Sequence, residues 1–293
     1  MSWQQFSMPL GGHNPELVEA LLLEFGALSV TLSDDADDPV LEPGVGETPL
    51  WTETRVTALF DDSLDHEALV AFLERELGEL GDHSLEQLED RDWEREWLRD
   101  FHPMQFGSRL WICPGDAKPP TDNAIVVQLD PGLAFGTGTH PTTAMCLEWL
   151  DGQSLDNCSV LDYGCGSGVL AIAALKLGAA SATGTDIDPQ AIIATQQNAE
   201  RNRVDIELVD PLQPVPGRFD VVVANILAGP LVELANQLSE YVKTGGRLAL
   251  SGILEEQAAS VRKAYEPWVL LDEQTVMHQD GQNWVRLSGR RQS

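Results

Sequence analysis

The decapeptide SVLDYGCGSG, residues 159–168, limits what this chain can fold into more than any other stretch. A short apolar run ends at Asp162 and gives way to glycines at 164, 166 and 168, the pattern of a strand that bends directly into a helix. Glycine lets the backbone turn tightly and approach a ligand with no Cβ in the way, and the helix that follows points its free N–H groups at that ligand. The turn predicts an open α/β sheet that holds a nucleoside.

Two cofactors fit such a turn. The dinucleotide reading takes Gly166, Gly168 and Ala171 as G-x-G-x-x-A, with a pyrophosphate on the helix N-terminus. Asp162 weighs against it, because a carboxylate two residues before the first glycine repels a pyrophosphate and suits the sulfonium and amino group of S-adenosylmethionine. A second carboxylate, Asp186 in SATGTDID (181–188), follows about 20 residues after the glycines, where a strand end offers acceptors to ribose hydroxyls. Asp188, just before Pro189, reads as a helix N-cap. Asn225 lies in FDVVVANIL (219–227), whose Val221-Val222-Val223 run reads as a buried parallel strand. Ligands of open α/β sheets sit at strand carboxyl ends, so Gly164, Asp186 and Asn225 are expected on one rim.

A length of 293 residues favours two domains. The formal charge of -29 is uneven: residues 1–100 hold 5 Lys plus Arg against 25 Asp plus Glu, and the remainder 13 against 22. Such a field draws a basic partner and repels free nucleic acid, although a charge surplus also serves simply as a solvated surface. Cys113, Cys146, Cys158 and Cys165 form neither a C-x-x-C pair nor a zinc pattern, so no metal is expected and a reducing cytoplasm is the natural setting. No cationic stretch precedes an apolar leader, and no apolar run approaches the ~20 residues of a membrane span. A soluble cytoplasmic monomer is expected.

Residues 3–92 read as strand, helix, strand, strand, helix, strand, a ferredoxin-like α+β domain expected over residues 1–92 and suited to gripping a substrate. The acidic, Pro/Gly-rich segment 34–49 reads as a solvated loop. Trp93, Trp97 and Phe101 lie four apart and place three rings along one face of a short connector helix, 93–103. From 104 to 293, two short strands precede a strand-helix alternation that ends in two consecutive strand-like runs. That order predicts a parallel sheet with helices on both faces and one antiparallel edge.

DPGLAFGTGTHPTT (130–143), the glycine turn, TDIDP (185–189) and ANILAGPL (224–231), in that order, resemble the methyltransferases of large-subunit ribosomal protein eleven, the PrmA family. DWEREWLRDFHPMQFG (92–107) is similar to that family's connector, so the likeness runs from roughly residue 90 to 290. The resemblance implies a seven-stranded Rossmann-like methyltransferase sheet dependent on S-adenosylmethionine. It implies cofactor contacts at Thr143, Gly164, Asp186 and Asn225, to which the turn itself adds Asp162, Gly166 and Gly168. It also implies methyl transfer to the α-amine and lysine side chains of a ribosomal protein. Methylation of another amine, in a small molecule or nucleic acid, and a non-catalytic cofactor-binding module are the alternatives.

For amine methylation Asn225 is the expected catalytic residue: its side-chain carbonyl can accept an N–H of the incoming amine and turn the lone pair toward the donor. A turn residue bonding its own backbone is the competing role. No tyrosine follows Asn225, so an aromatic wall would come from Phe135 or Trp284. His140 is a candidate base or a structural loop residue, and Thr142 a candidate helix cap.

Overall fold

Alternation along TRVTALFD places Val56, Ala58 and Phe60 on one face, and all three are buried. The computed structural model describes residues 3–34, 53–88, 102–115, 117–121, 123–129, 140–279 and 281–292. The expected connector rings at 93, 97 and 101, the glycine-rich loop 130–139 with Phe135, and most of the loop 34–49 lie outside the described residues. The chain divides into two units, residues 1–97 and 98–293.

In the first unit, β1 (Trp3–Pro9), α1 (Pro15–Glu24), β2 (Ser29–Asp34), β3 (Thr54–Asp61), α2 (His66–Leu77) and β4 (Ser84–Leu88) form a sheet of order β2-β3-β1-β4. Every neighbouring pair is antiparallel, which is the ferredoxin-like arrangement. Both helices start on side-chain caps: Asn14 Oδ1 accepts from Leu17 N at 3.2 Å, and Asp65 Oδ1 from Ala68 N at 3.1 Å. Val18 and Leu22 of α1 and Leu69 and Leu73 of α2 close the core over Phe6 and Met8.

The second unit opens with a three-stranded sheet, β5 (Met104–Phe106), β6 (Leu110–Pro114) and β7 (Ile125–Leu129). Helix α3 (Pro141–Asp151) then leads into the main sheet: β8 (Ser159–Tyr163), α4 (Val169–Lys176), β9 (Ser181–Thr185), α5 (Pro189–Asn202), β10 (Glu207–Leu208) and β11 (Phe219–Asn225). The chain ends through α6 (Ala228–Glu233), α7 (Ala235–Tyr241), β12 (Val242–Leu254), α8 (Ala258–Tyr265), β13 (Val269–Gln279) and β14 (Gln282–Arg291). The seven strands run in the order β10-β9-β8-β11-β12-β14-β13.

Strand β11 shows why the sheet is covered twice. Val221 and Val223 bury on the side of α3, α4 and α5, while Val222 and Ala224 bury with α6, α7 and α8. A strand buried on both faces loses polar alternation and reads as a continuous apolar run.

One expectation about the sheet needs correction. The antiparallel strand is not its edge: β14 inserts between β12 and β13 and runs antiparallel to both. Successive strands joined by a short turn pair with each other, but their order relative to β12 depends on which of them matches its edge. Among the described residues no helix is long and apolar enough to cross a membrane.

Candidate active site

Strand order reverses at β8: β9 and β10 lie to one side and β11 to the other. Such a switch point opens a crevice beyond the strand carboxyl ends. Gly164, Gly166 and Gly168 leave β8 with φ of +76°, +53° and +77°, a backbone that favours glycine. The N–H groups of Gly164 and Cys165 donate to Thr185 O at 2.8 and 3.1 Å, tying the turn to the end of β9. A Cβ on Gly164 would collide with the Ile226 side chain, and one on Gly168 would lie 2.7 Å from Thr195 Cγ2.

Asp186 directly follows β9 and is half-buried. Its Oδ2 accepts from Gly166 N at 2.8 Å and its Oδ1 from Asp188 N at 3.0 Å. Each oxygen keeps further acceptor capacity, enough for a vicinal diol. Asp188 caps α5 as expected, accepting from Gln190 N at 2.9 Å with Pro189 next.

Asp162 lies fully buried behind the glycine turn. Its Oδ2 accepts from Ala171 N in the first turn of α4 at 3.1 Å, and its Oδ1 has no partner. Burial pushes the carboxyl well above the usual carboxylate range; the Ala171 N–H opposes that shift and the Asp186 charge adds to it. The sequence suggested a carboxylate facing a cationic ligand, whereas the side chain is buried and stands behind the cavity wall.

At the end of β11, Asn225 Nδ2 donates to Thr143 Oγ1 at 3.1 Å, and Asn225 Oδ1 is buried without a partner. Thr143 is fully buried in the first turn of α3, so its hydroxyl supports Asn225 from beneath. Ser251, which pairs with Asn225 across β11 and β12, donates from Oγ to Thr142 O at 3.1 Å and anchors the same turn.

The helix cap falls on a different residue from the one expected. His140, not Thr142, is the N-cap of α3: its Nδ1 accepts from Thr142 N at 3.4 Å and contacts Thr142 Oγ1 at 2.8 Å. Both contacts tie the His140 ring into the first turn of α3.

Gly164, Gly166, Asp186 and Asn225 line one cavity of about 400 Å³. Asp162, Gly168 and Thr143 are not among its lining residues and stand behind it. Sequence reasoning missed the apolar lining, which includes Tyr163, Ile187, Pro211, Ile226 and Leu234. Ile187 carried a signal, since an isoleucine between two aspartates that is 89% exposed has no core to fill. A larger groove of about 740 Å³, between α8 and β13, holds none of the expected site residues. Among the described residues no cluster of His, Cys, Asp and Glu is placed to hold a metal.

The residues present fit S-adenosylmethionine. Asn225 Oδ1, on the cavity wall, is a buried acceptor without a donor, which suits an amine brought beside the methyl donor. Asp186 suits the ribose, and a mostly apolar wall with few polar groups suits a planar base.

A seven-stranded sheet with β14 inserted antiparallel, and a glycine turn and two strand-end side chains around one cavity, define a class of nucleoside-dependent methyltransferases. The family model for ribosomal protein L11 methyltransferase (PrmA) matches residues 2–292. A ribosomal protein L11 methyltransferase of Klebsiella pneumoniae (strain 342) is 55% identical over 296 residues, covering 99% of this chain and 100% of the relative. One of Ectopseudomonas mendocina (strain ymp) is 54% identical over 295 residues, covering 99% of each. The crystal structure of a ribosomal protein L11 methylase from Lactobacillus delbrueckii subsp. bulgaricus is 35% identical with a TM-score of 0.59, covering 66% of this chain and all of that one. This chain belongs to the ribosomal protein L11 methyltransferase (PrmA) family, enzymes whose methyl donor is S-adenosylmethionine.

Proposed function

We propose that the chain methylates ribosomal protein L11, at its α-amine and at lysine side chains. The observation that carries this reading is Asn225 Oδ1, a buried acceptor with no donor of its own, held in place through Nδ2 by Thr143. The relatives over 50% identical carry the name of that substrate.

Asp186 would hold the ribose, and Asp162, which accepts from Ala171 N, would brace from behind the glycine turn that carries the cofactor. When bound, S-adenosylmethionine supplies a methyl carbon on a positively charged sulfur, open to attack by a nitrogen lone pair. Asn225 Oδ1 accepts an N–H of the neutral amine and so fixes the direction of that lone pair. Positioning of this kind is worth roughly 7 to 11 kcal/mol. The acceptor must first lose a proton. From a reference pKa of ~10.4, deprotonating lysine at pH 7 costs about 4.6 kcal/mol, and an α-amine at ~7.7 to 8.0 costs far less. Burial beside Asn225 lowers the amine pKa and shrinks that cost, and the proton passes to water. His140, which caps α3, is read as a structural loop residue rather than as the base.

Residues 1–92 are proposed as the substrate-recognition domain, 93–103 as the connector and 104–293 as the methyltransferase domain. The acidity of the first hundred residues would attract a basic ribosomal protein. A cytoplasmic monomer that binds no nucleic acid directly completes the reading. Labelled S-adenosylmethionine incubated with the enzyme and L11, rRNA or small amines tests it. Label in L11, mapped by mass spectrometry to amines, is the expected result; label only in rRNA or a small amine refutes it.

A further inference from the structure

We propose that the outward face of α1, where Leu17, Ala20 and Leu23 form an apolar ridge among Glu16, Glu19 and Glu24, docks a basic surface of ribosomal protein L11; this rests on the reading of L11 as the acceptor and of residues 1–92 as its recognition domain. Helical periodicity divides α1 into two faces. Val18, Leu21 and Leu22 point into the core and are buried. Leu17 and Leu23 point the other way, 50% and 46% exposed, and Ala20 lies exposed between them at the same three-residue interval. A helix that covers one core needs apolar side chains on one side only, and α1 carries them on both.

The charge on this face serves no contact within the unit. Glu16, Glu19 and Glu24 are exposed, and none of them makes an ion pair among the described residues. No Lys or Arg precedes Arg55 in the chain, so no side chain of α1 offsets them. Glu24 closes the helix, where the dipole is negative and a carboxylate is disfavoured, and the last turn holds no basic residue. A charge kept where it weakens its own helix points to a partner outside it. Phe25, the α1 C-cap, meets Phe72 of α2 with ring centroids 5.3 Å apart, and α2 extends the layer with exposed Glu67 and Glu74. The one cation of α2, Arg75, is paired with Glu76 at 2.7 Å. The other face of the sheet differs: alternation places Ser7, Thr31 and Thr57 there, with Arg55, Asp61 and Glu86 as its charged residues.

The ridge and the carboxylates together specify the occupant. A ribosomal protein presents Lys and Arg to RNA phosphates, and these are the side chains that suit a mixed apolar and acidic helix face. Their methylene stems pack on leucine and alanine while their charged ends reach the neighbouring glutamates. A second copy of this chain, at -29, and RNA both carry the wrong sign.

The test compares the whole chain with three double variants: Glu19→Gln/Glu24→Gln and Leu17→Ser/Leu23→Ser on α1, and Thr31→Lys/Ser33→Lys on the other sheet face. Each is measured for kcat and KM on L11, for S-adenosylmethionine Kd by calorimetry and for Tm. Glu19→Gln/Glu24→Gln is expected to raise the L11 KM about five- to tenfold and to flatten its dependence on salt, with kcat and cofactor Kd within about twofold. Its Tm should be equal or higher, because a carboxylate leaves the negative end of the helix. Leu17→Ser/Leu23→Ser should raise KM on the order of tenfold. Thr31→Lys/Ser33→Lys shifts the net charge by the same two units and should leave KM within about twofold. If the leucine variant fails to fold by circular dichroism, the glutamate variant decides. An L11 KM within twofold of wild type in either α1 variant that folds, a matching rise in the β2 variant, or a cofactor Kd that worsens in parallel with KM overturns the inference. A wild-type enzyme that puts no label into L11 overturns the reading beneath it instead, before any variant is compared.

Discussion

The Asn225 side chain donates through Nδ2 to Thr143 Oγ1 at 3.1 Å, joining the end of β11 to the first turn of α3 across 82 residues of sequence. The bond fixes which way the amide faces and keeps Oδ1 as the acceptor. Thr143→Val keeps the shape and removes the acceptor, so the amide loses its orientation. Turnover should fall 10- to 100-fold, about 1.4 to 2.7 kcal/mol, with cofactor Kd within threefold and activity restored by Thr143→Ser. Asn225→Ala should hold cofactor affinity within a few fold while abolishing methyl transfer. Unchanged kcat in either variant would remove the role assigned to this pair.

Asp186 holds the glycine turn as well as the expected ribose. Asp186→Ala frees Gly166 N and Asp188 N and deletes two charge-assisted acceptors. Calorimetry should show S-adenosylmethionine Kd rising about 100-fold, since each bond to a charged group contributes about 1.5 kcal/mol or more. A Kd within threefold of wild type would place the ribose elsewhere.

Gly252 in β12 has φ of +88°, and a Cβ there would collide with Ile226 O. Ile226 follows Asn225 and lines the cavity. Gly252→Ala therefore strains its own backbone and displaces the residue beside the amide. A loss of about 1 to 3 kcal/mol in unfolding free energy is expected, together with lower kcat. Denaturant unfolding and steady-state rates check both, and wild-type values in each would refute the steric account.

Asp220 provides a pH test away from the cavity. Its Oδ2 accepts from Lys243 Nζ at 2.8 Å, Ser159 N at 2.9 Å and Ser159 Oγ at 2.7 Å. Burial pushes the carboxyl up, but the Lys243 and Ser159 bonds outweigh it and bring the pKa from 3.8 down to about 2. A depressed pKa stabilises the fold fully above 3.8, and that gain disappears as pH falls through about 2. The side chain is 34% exposed, so screening reduces the contribution to about 1 kcal/mol. Asp220→Asn should cost that much at pH 7 and only a small part of it at pH 2. An equal difference at both pH values in urea unfolding would contradict it.

Local patterns announced most of the architecture. Alternation at Val56, Ala58 and Phe60 made the first unit legible, because period is a property of neighbouring residues. The glycine turn, Asp186 and Asn225 were legible for the same reason: strand ends in an alternating α/β chain meet on one side. What stayed hidden depends on contacts between distant residues. Thr143 beneath Asn225, and Ser251 bonded to Thr142 O across 109 residues, leave no periodic trace. His140 took the cap from Thr142 because its ring nitrogen reaches the first-turn N–H. The raised pKa of Asp162 follows from burial, which a four-residue motif does not reveal.

The insertion of β14 sets an order of assembly. Residues 282–291 fill the slot between β12 and β13, so the hydrogen-bonding edge of Leu248 and Leu250 waits for a segment that follows both strands in the chain. Until then β13 has nothing in this sheet to pair with, and two strand edges stay without partners. Emergence of that segment is the event that seals the sheet, and a nascent chain halted before it would be left with the adhesive edges that chaperones recognise.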